Sequence, residues 1–367
     1  MRAIEISEPG GPEQLRLTDR PKPVPGPGEV LVRVAAAGVN RADVLQRQGF
    51  YNPPPGATDI PGLEVAGTVE ALGTPAPVPA ATPVSTGATP ADAPEYAPAL
   101  GDRVAALLSG GGYAEYVTVP AGQLIPLPDD MSFTDAAVLP EVLSTVYSNV
   151  FAGPEPGSGA HLTAGQWLLV HGGGSGIGTC AIQMARVFGA KVAVTVGSAR
   201  KAEFCRELGA DAAIDYKTED FVARIKEITA EASPTDAFGE PRKPGADVIF
   251  DVIGAKYLER NIRALTTGGR LSIIGLQGGV KAEINLNALM TGRKSVMGTT
   301  LRARPAGQKA AIVSEVRRRV WPQVLAGAIR PIVHRVLPLG EAGAAQTLLE
   351  DGTSIGKVVL DVADAHA

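Results

Sequence analysis

Cysteine is almost absent: the chain has 367 residues and only two are cysteine, Cys180 and Cys205. Two cysteines cannot build a disulfide framework, and both sit in helix-like apolar patterns, where they read as reduced, buried thiols. The four histidines (His161, His171, His334 and His366) show no metal-ligand spacing. Aromatic residues make up 5% of the chain, too few for platforms on which bases stack. No Lys/Arg run forms a basic stripe, and 34 basic against 38 acidic residues leave a net charge of −4, so no polyanion partner is indicated. No apolar stretch approaches the roughly 20 residues that span a bilayer. The opening Met1-Arg2-Ala3-Ile4-Glu5-Ile6 alternates like a strand and has no apolar region of a signal peptide. The expected location is the cytoplasm, with no membrane and no nucleic-acid partner.

What is present suits a two-domain globular protein: 45% hydrophobic and 20% charged residues over a length too great for one small core. The first part leans towards β structure. Glu29-Val30-Leu31-Val32-Arg33-Val34 alternates with period two, and strand-like runs follow at residues 64–71, 102–108 and 113–119, punctuated by Gly and Pro. From Trp167 the pattern changes to alternating strands and helices. Strands are predicted at residues 167–170, 191–196, 212–215, 247–253, 270–275 and 295–299, with helices at 176–188 and 200–208. This alternation with short connections predicts an α/β fold with a parallel, doubly wound sheet. The tail adds a helix at 308–325 and strands at 334–337 and 357–361, too late for the doubly wound core, so it is expected to pack on the β-rich domain. Three segments, 74–99, 153–159 and 232–245, are poor in large apolar residues and read as surface insertions, the first of them mobile.

The strand ending at Val170 runs into His171-Gly172-Gly173-Gly174-Ser175-Gly176-Ile177-Gly178 and then directly into a helix. Glycines there permit a tight turn and close backbone approach to a pyrophosphate, and the helix start offers free N–H groups to the phosphates. The strand–turn–helix order, more than the glycines alone, makes this a Rossmann-type dinucleotide site. His171 just before the turn is expected to be structural or cofactor-adjacent. An NAD site ordinarily ends its second strand with a carboxylate for the ribose 2′-hydroxyl. Here that strand ends Val196-Gly197-Ser198-Ala199-Arg200-Lys201, with a hydroxyl and two cations instead. Cations in a first helical turn oppose the helix dipole and need another reason to be there. A 2′-phosphate supplies it, so NADPH is the expected cofactor, through Ser198 and Lys201 with Arg200 beside them.

Asn40-Arg41-Ala42-Asp43-Val44-Leu45-Gln46-Arg47-Gln48-Gly49 followed by Tyr51-Asn52-Pro53-Pro54-Pro55-Gly56 closely resembles the medium-chain dehydrogenase/reductase superfamily. Within it the chain is similar to the zinc-independent quinone oxidoreductases, the zeta-crystallin relatives, and most of all to the p53-inducible quinone oxidoreductase type. Matching stretches include Leu108-Ser109-Gly110-Gly111-Gly112, residues 113–120, the glycine turn, Asp215-Tyr216-Lys217, Asp251-Val252-Ile253-Gly254 and Ile355-Gly356-Lys357-Val358-Val359-Leu360. The resemblance implies a GroES-like β-rich catalytic domain at 1–127 and 304–367, a Rossmann NADPH-binding domain at 128–303, a cleft between them, and a homodimer or homotetramer. It implies catalytic roles for Asn40, Asp43 and Tyr51. Cofactor contacts are implied for Tyr51, Thr145, Gly173, Ser175, Gly176, Ile177, Gly178, Ser198, Lys201, Tyr216, Val252, Gly275, Leu276, Gln277, Leu301 and Lys357, with residues 300–302 framing the rest.

By the same resemblance the cysteine and histidine ligands of the zinc alcohol dehydrogenases fall at Asn40 and Leu63, neither of them a competent zinc ligand. Two cysteines in all exclude the four-cysteine structural lobe. No zinc is expected, and Glu64 is expected to be structural. Without a Lewis acid, reduction of an isolated carbonyl is poorly supported, whereas a quinone or an activated C=C spreads the incoming charge over its own conjugated system. The expected function is NADPH:quinone reduction. A zinc-independent enoyl or alkenal reductase, or a non-catalytic NADPH-binding sensor or structural protein, are the alternatives, and the sequence leaves hydride and single-electron transfer both open.

Overall fold

The computed structural model describes residues 1–75, 96–153, 159–230 and 242–363. The three expected surface insertions, and His366, lie largely or wholly outside the described residues. The chain divides into two compact units, Met1–Glu141 with Arg302–Pro322 and Val333–Ala367, and Val142–Leu301 with Gln323–Ile332.

The first unit is built on a seven-stranded sheet around the long strand Glu29–Val39. One edge of this strand pairs with Glu64–Leu72; the other pairs first with Tyr116–Pro120 and then, from Ala36 to Val39, with the tail strand Lys357–Asp361. Val30, Val32 and Val34 enter a core with Val65, Tyr113, Leu124 and Val358, which is why the period-two pattern was visible. The register has a consequence for the site. Ala37 lies opposite Val65, and Val39 opposite Val358. Glu64, next to Val65, therefore falls opposite Gly38, and Lys357, next to Val358, falls beside Asn40; the side chains of both reach that of Asn40.

The second unit is a six-stranded parallel sheet with spatial order Ala212–Asp215, Lys191–Val196, Trp167–His171, Ala246–Asp251, Leu265–Ile273, Ser295–Gly298. Numbered along the chain this is 3-2-1-4-5-6, the doubly wound order, with its switch point between Trp167–His171 and Ala246–Asp251. Both switch-point strands are buried along their whole length, with apolar stretches at residues 167–170 and 248–250 and the polar His171, Asp247 and Asp251 buried with them.

Some boundaries differ from expectation. Residues 128–141, assigned above to the nucleotide-binding domain, belong with the first unit, where the backbone N–H of Glu141 donates to Glu64 Oε2 at 2.9 Å. Residues 323–332, assigned to the catalytic domain, belong with the second, where Gln183 bonds both the N–H and the carbonyl of Arg330. The tail helix begins earlier than predicted, at Ala306, and widens into a π turn over Val316–Val320 before Trp321–Leu325. Among the described residues no helix is long and apolar enough to cross a membrane.

Candidate active site

In the second unit, the glycine turn links Trp167–His171 to the helix Gly176–Val187. Ser175 caps that helix: its Oγ accepts from Gly178 N at 3.1 Å and donates to the Gly172 carbonyl at 2.7 Å. Gly178 is required by close approach, since a Cβ there would fall 2.4 Å from Gly172 O and 2.5 Å from Gly173 O. Ile177, between these glycines, is part of the same first helical turn. The next strand ends at Val196, and Ser198 caps the helix Ala199–Leu208 by accepting from Lys201 N at 3.4 Å. The Tyr216 hydroxyl lies against Gly197, and burial lowers the pKa of the half-buried Lys201. Ser198, Lys201 and Tyr216 thus gather at one strand end with no carboxylate among the strand's closing residues, a donor set that fits a 2′-phosphate. Across the switch point, Val252 O accepts from Gln277 N at 3.2 Å, which zips together the loops carrying Val252 and Gly275-Leu276-Gln277. Thr145 is buried in the helix Pro140–Val146, its carbonyl accepting from Asn149, and Leu301 is buried as well.

Two buried titrating groups end the switch-point strands. His171 bonds Thr195 Oγ1 at 3.0 Å and Asn261 Oδ1 at 2.7 Å, and burial pushes it down to about 4 from its ordinary 6.5. It is a neutral structural residue. Asp251 accepts from Ile253 N at 2.7 Å and Gly254 N at 3.0 Å, and burial pushes it up to about 6 from 3.8. The signs oppose. A depressed histidine contributes stability above 6.5 that is lost as pH falls towards 4; a raised carboxyl contributes stability below 3.8 that is lost as pH rises through about 6. Each shift corresponds to about 3 kcal/mol, so on acidification the two largely offset. Asp251→Asn removes one side of the balance. The wild type is expected to gain about 3 kcal/mol over this variant between neutral pH and about pH 4, measured by denaturant unfolding. A stability difference that does not change over that range would contradict the assignment.

The first unit holds the expected catalytic residues. Asn40 precedes the helix Arg41–Arg47 in an extended conformation, φ −124° and ψ 154°. Its side chain is oriented from both ends: Nδ2 donates to Glu64 Oε1 at 3.0 Å, and Oδ1 accepts from Lys357 Nζ at 2.5 Å. Lys357 also donates to Val39 O at 3.0 Å and pairs with Glu64 Oε1 at 2.6 Å. Those three partners match the three donors of an ammonium. Lys357, which the resemblance places at the cofactor, has its ammonium engaged in holding Asn40. Glu64 is wholly buried, and Gly38 admits it, because a Cβ at that position would meet Glu64 Oε1 at 2.4 Å.

Asp43, the second residue expected to be catalytic, is held in the same way. It is wholly buried, with Oδ2 accepting from Asn40 N at 2.8 Å and from the Tyr113 hydroxyl at 3.0 Å, and Oδ1 accepting from Gly62 N at 3.1 Å. Burial raises its pKa to about 6 against the lowering by these bonds. These bonds tie the carboxylate to the helix start at Asn40. Tyr51 differs: it is partly exposed, its hydroxyl makes no hydrogen bond among the described residues, and burial raises its pKa, so it remains a protonated donor. The Arg302 guanidinium lies 5.3 Å from its ring centroid. The resemblance placed Arg302 with residues 300–302 around the cofactor; its tie to Tyr51, and the bond of Tyr113 to Asp43, were not visible in the sequence because the partners lie far away along the chain.

Asn40 offers an amide already bonded at both ends, Leu63 a buried hydrocarbon, and Glu64 a carboxylate engaged by Lys357, Asn40 and Glu141. Among the described residues no three His, Cys, Asp or Glu side chains converge to hold a metal ion. These residues do not fit a catalytic zinc site, which needs three protein ligands and an open position.

Comparison with known proteins follows the same division of the chain. The alcohol dehydrogenase GroES-like domain model matches residues 26–129, and the zinc-binding dehydrogenase model matches residues 176–315. The chain is 31% identical to the quinone oxidoreductase of Lama guanicoe over 98% of its own length and 97% of the relative's. Among solved structures it is similar to the quinone oxidoreductase of Thermus thermophilus, studied alone and with NADPH, at 32% identity and TM-score 0.76, covering 99% and 100% of the two chains. The Escherichia coli quinone oxidoreductase complexed with NADPH superposes with TM-score 0.79 at 25% identity, again over 99% and 100%. Sequence, sheet topology and these relatives agree that the chain belongs to the quinone oxidoreductase family of the medium-chain dehydrogenase/reductase superfamily.

Proposed function

We propose that this protein is an NADPH-dependent reductase of quinones and that it works without a metal. The observation that carries this is the Lys357–Asn40–Glu64 cluster, which offers no metal donor set around Asn40, the position where the resemblance puts the cysteine ligand of the zinc-dependent enzymes. What the first unit offers an acceptor is a hydrogen-bond donor, the Tyr51 hydroxyl, while the Asn40 amide is held by Glu64, Gly38 and Lys357. A donor of this kind suffices for an acceptor whose own conjugation disperses charge; an isolated carbonyl demands more stabilisation of a forming alkoxide. A bound NADPH would supply the hydride. Gly173, Ser175, Gly176, Ile177 and Gly178 would hold its pyrophosphate, and Ser198, Lys201 and Tyr216 its 2′-phosphate. The NADPH complexes of the two bacterial relatives support the same cofactor here.

Cofactor choice is tested by kcat/KM for NADPH and NADH with one quinone. NADPH is expected to lead by about tenfold or more, the worth of a charge-assisted hydrogen bond of about 1.5–3 kcal/mol, and Lys201→Ala is expected to narrow the ratio. A preference for NADH would remove this part of the proposal.

A further inference from the structure

Tyr51 sits on a loop that is poorly equipped to hold itself. Pro53, Pro54 and Pro55 follow it and bring no N–H donors, so the loop cannot be tied down through its own amides there. Backbone bonds fix its ends, Phe50 N to Leu45 O at 2.8 Å and Ala57 N to Pro54 O at 3.0 Å. At Tyr51 itself the tie is a side chain. Arg302 Nη1 donates to Tyr51 O at 3.2 Å, Nη2 to Gln46 Oε1 at 2.7 Å, and Nε to Ser109 O at 2.8 Å. Arg302 is only 3% exposed, and its own carbonyl is held by Lys309, which also bonds the Ser109 hydroxyl. One planar fork thus joins the Tyr51 loop, the helix Arg41–Arg47 and the loop at Ser109, with its central carbon over the Tyr51 ring, 5.3 Å from the centroid.

We propose that Arg302 is a positioning residue for Tyr51, aiming its phenol by clamping the loop carbonyl and lying over the ring. This rests on the proposal that Tyr51 donates to the acceptor. The resemblance placed residues 300–302 around the cofactor; here the guanidinium is engaged in the catalytic unit. The charged groups facing Tyr51 are Glu141, which raises its pKa together with burial, and Arg302, which lowers it. Asp43, Glu141 and Lys309 face Arg302 in turn.

The experiment compares wild type with Arg302→Met, Arg302→Lys and Tyr51→Phe. The near-ultraviolet phenolate absorbance of wild type minus that of Tyr51→Phe isolates the Tyr51 titration, with or without turnover. Arg302→Met is expected to move that midpoint to higher pH, because a cation that favours the phenolate is gone, while Arg302→Lys restores it. Arg302→Met should also lower kcat/KM for a quinone about 10- to 100-fold through kcat, with the KM for NADPH unchanged, and Arg302→Lys should recover little of this because it lacks the fork. Arg302→Gln, neutral but still able to donate to the Tyr51 carbonyl, gives the same midpoint reading if the Met variant does not fold. An unmoved midpoint in the folded neutral variant overturns the inference. A wild type with no turnover on any acceptor would instead overturn the proposed function and leave the titration to decide the role of Arg302.

Discussion

Lys357→Met is expected to destabilise the protein by about 3–5 kcal/mol, the loss typical when one partner of a buried ion pair is removed. Glu64 is completely buried and Lys357 nearly so, 2.6 Å apart. Without the ammonium, the carboxylate would keep, among the described residues, the Asn40 amide and the Glu141 N–H as donors, with its charge uncompensated. Asn40 Oδ1 would also lose its partner, so activity should fall along with stability. The double variant Glu64→Gln/Lys357→Met removes the stranded charge and should regain most of the lost stability. Urea unfolding of the wild type, both single variants and the double variant measures the coupling. A loss below about 1 kcal/mol for Lys357→Met, the range of exposed pairs, would contradict this account of the cluster.

Gly178→Ala is expected to weaken NADPH binding by about tenfold to a hundredfold, whereas Gly174→Ala should change it little. The two glycines belong to one turn but meet different surroundings. A Cβ at Gly178 would press on two backbone carbonyls, Gly172 O at 2.4 Å and Gly173 O at 2.5 Å, so the turn must shift away from the helix start. A Cβ at Gly174 would touch only the Lys201 stem, at 3.0 Å and beyond, and that chain can move aside. Forced overpacking of about 1–3 kcal/mol corresponds to the affinity loss expected at Gly178. Titration of NADPH into the two variants distinguishes them. Equal losses would show that the turn is sensitive to bulk generally, and unimpaired Gly178→Ala would show that close packing there does not shape the site.

What was legible in the sequence was what is local. The runs at Lys191–Val196, Ala212–Asp215 and Lys357–Asp361 form strands with the bounds their patterns indicate. The glycine turn was legible because strand, turn and helix are consecutive. The fate of Asp43 was not. Its partners are Gly62 and Tyr113, 19 and 70 residues away, and nothing in the Asn40–Gly49 block shows that the carboxylate faces inwards. Lys357 is separated from Asn40 by 317 residues and reaches it only through the pairing of the tail strand with Glu29–Val39. Domain edges were blurred for the same reason. Residues 128–141 join the first unit through contacts such as that of Glu141 with Glu64, which no change of composition announces.

The most direct test is NADPH consumption by chelator-treated, zinc-assayed protein against a panel of quinones and α,β-unsaturated carbonyls. The expected result is turnover on quinones that chelation leaves unchanged, in protein carrying no stoichiometric zinc. Tight NADPH binding with no turnover on any acceptor, or activity lost on chelation and restored by zinc, would contradict it.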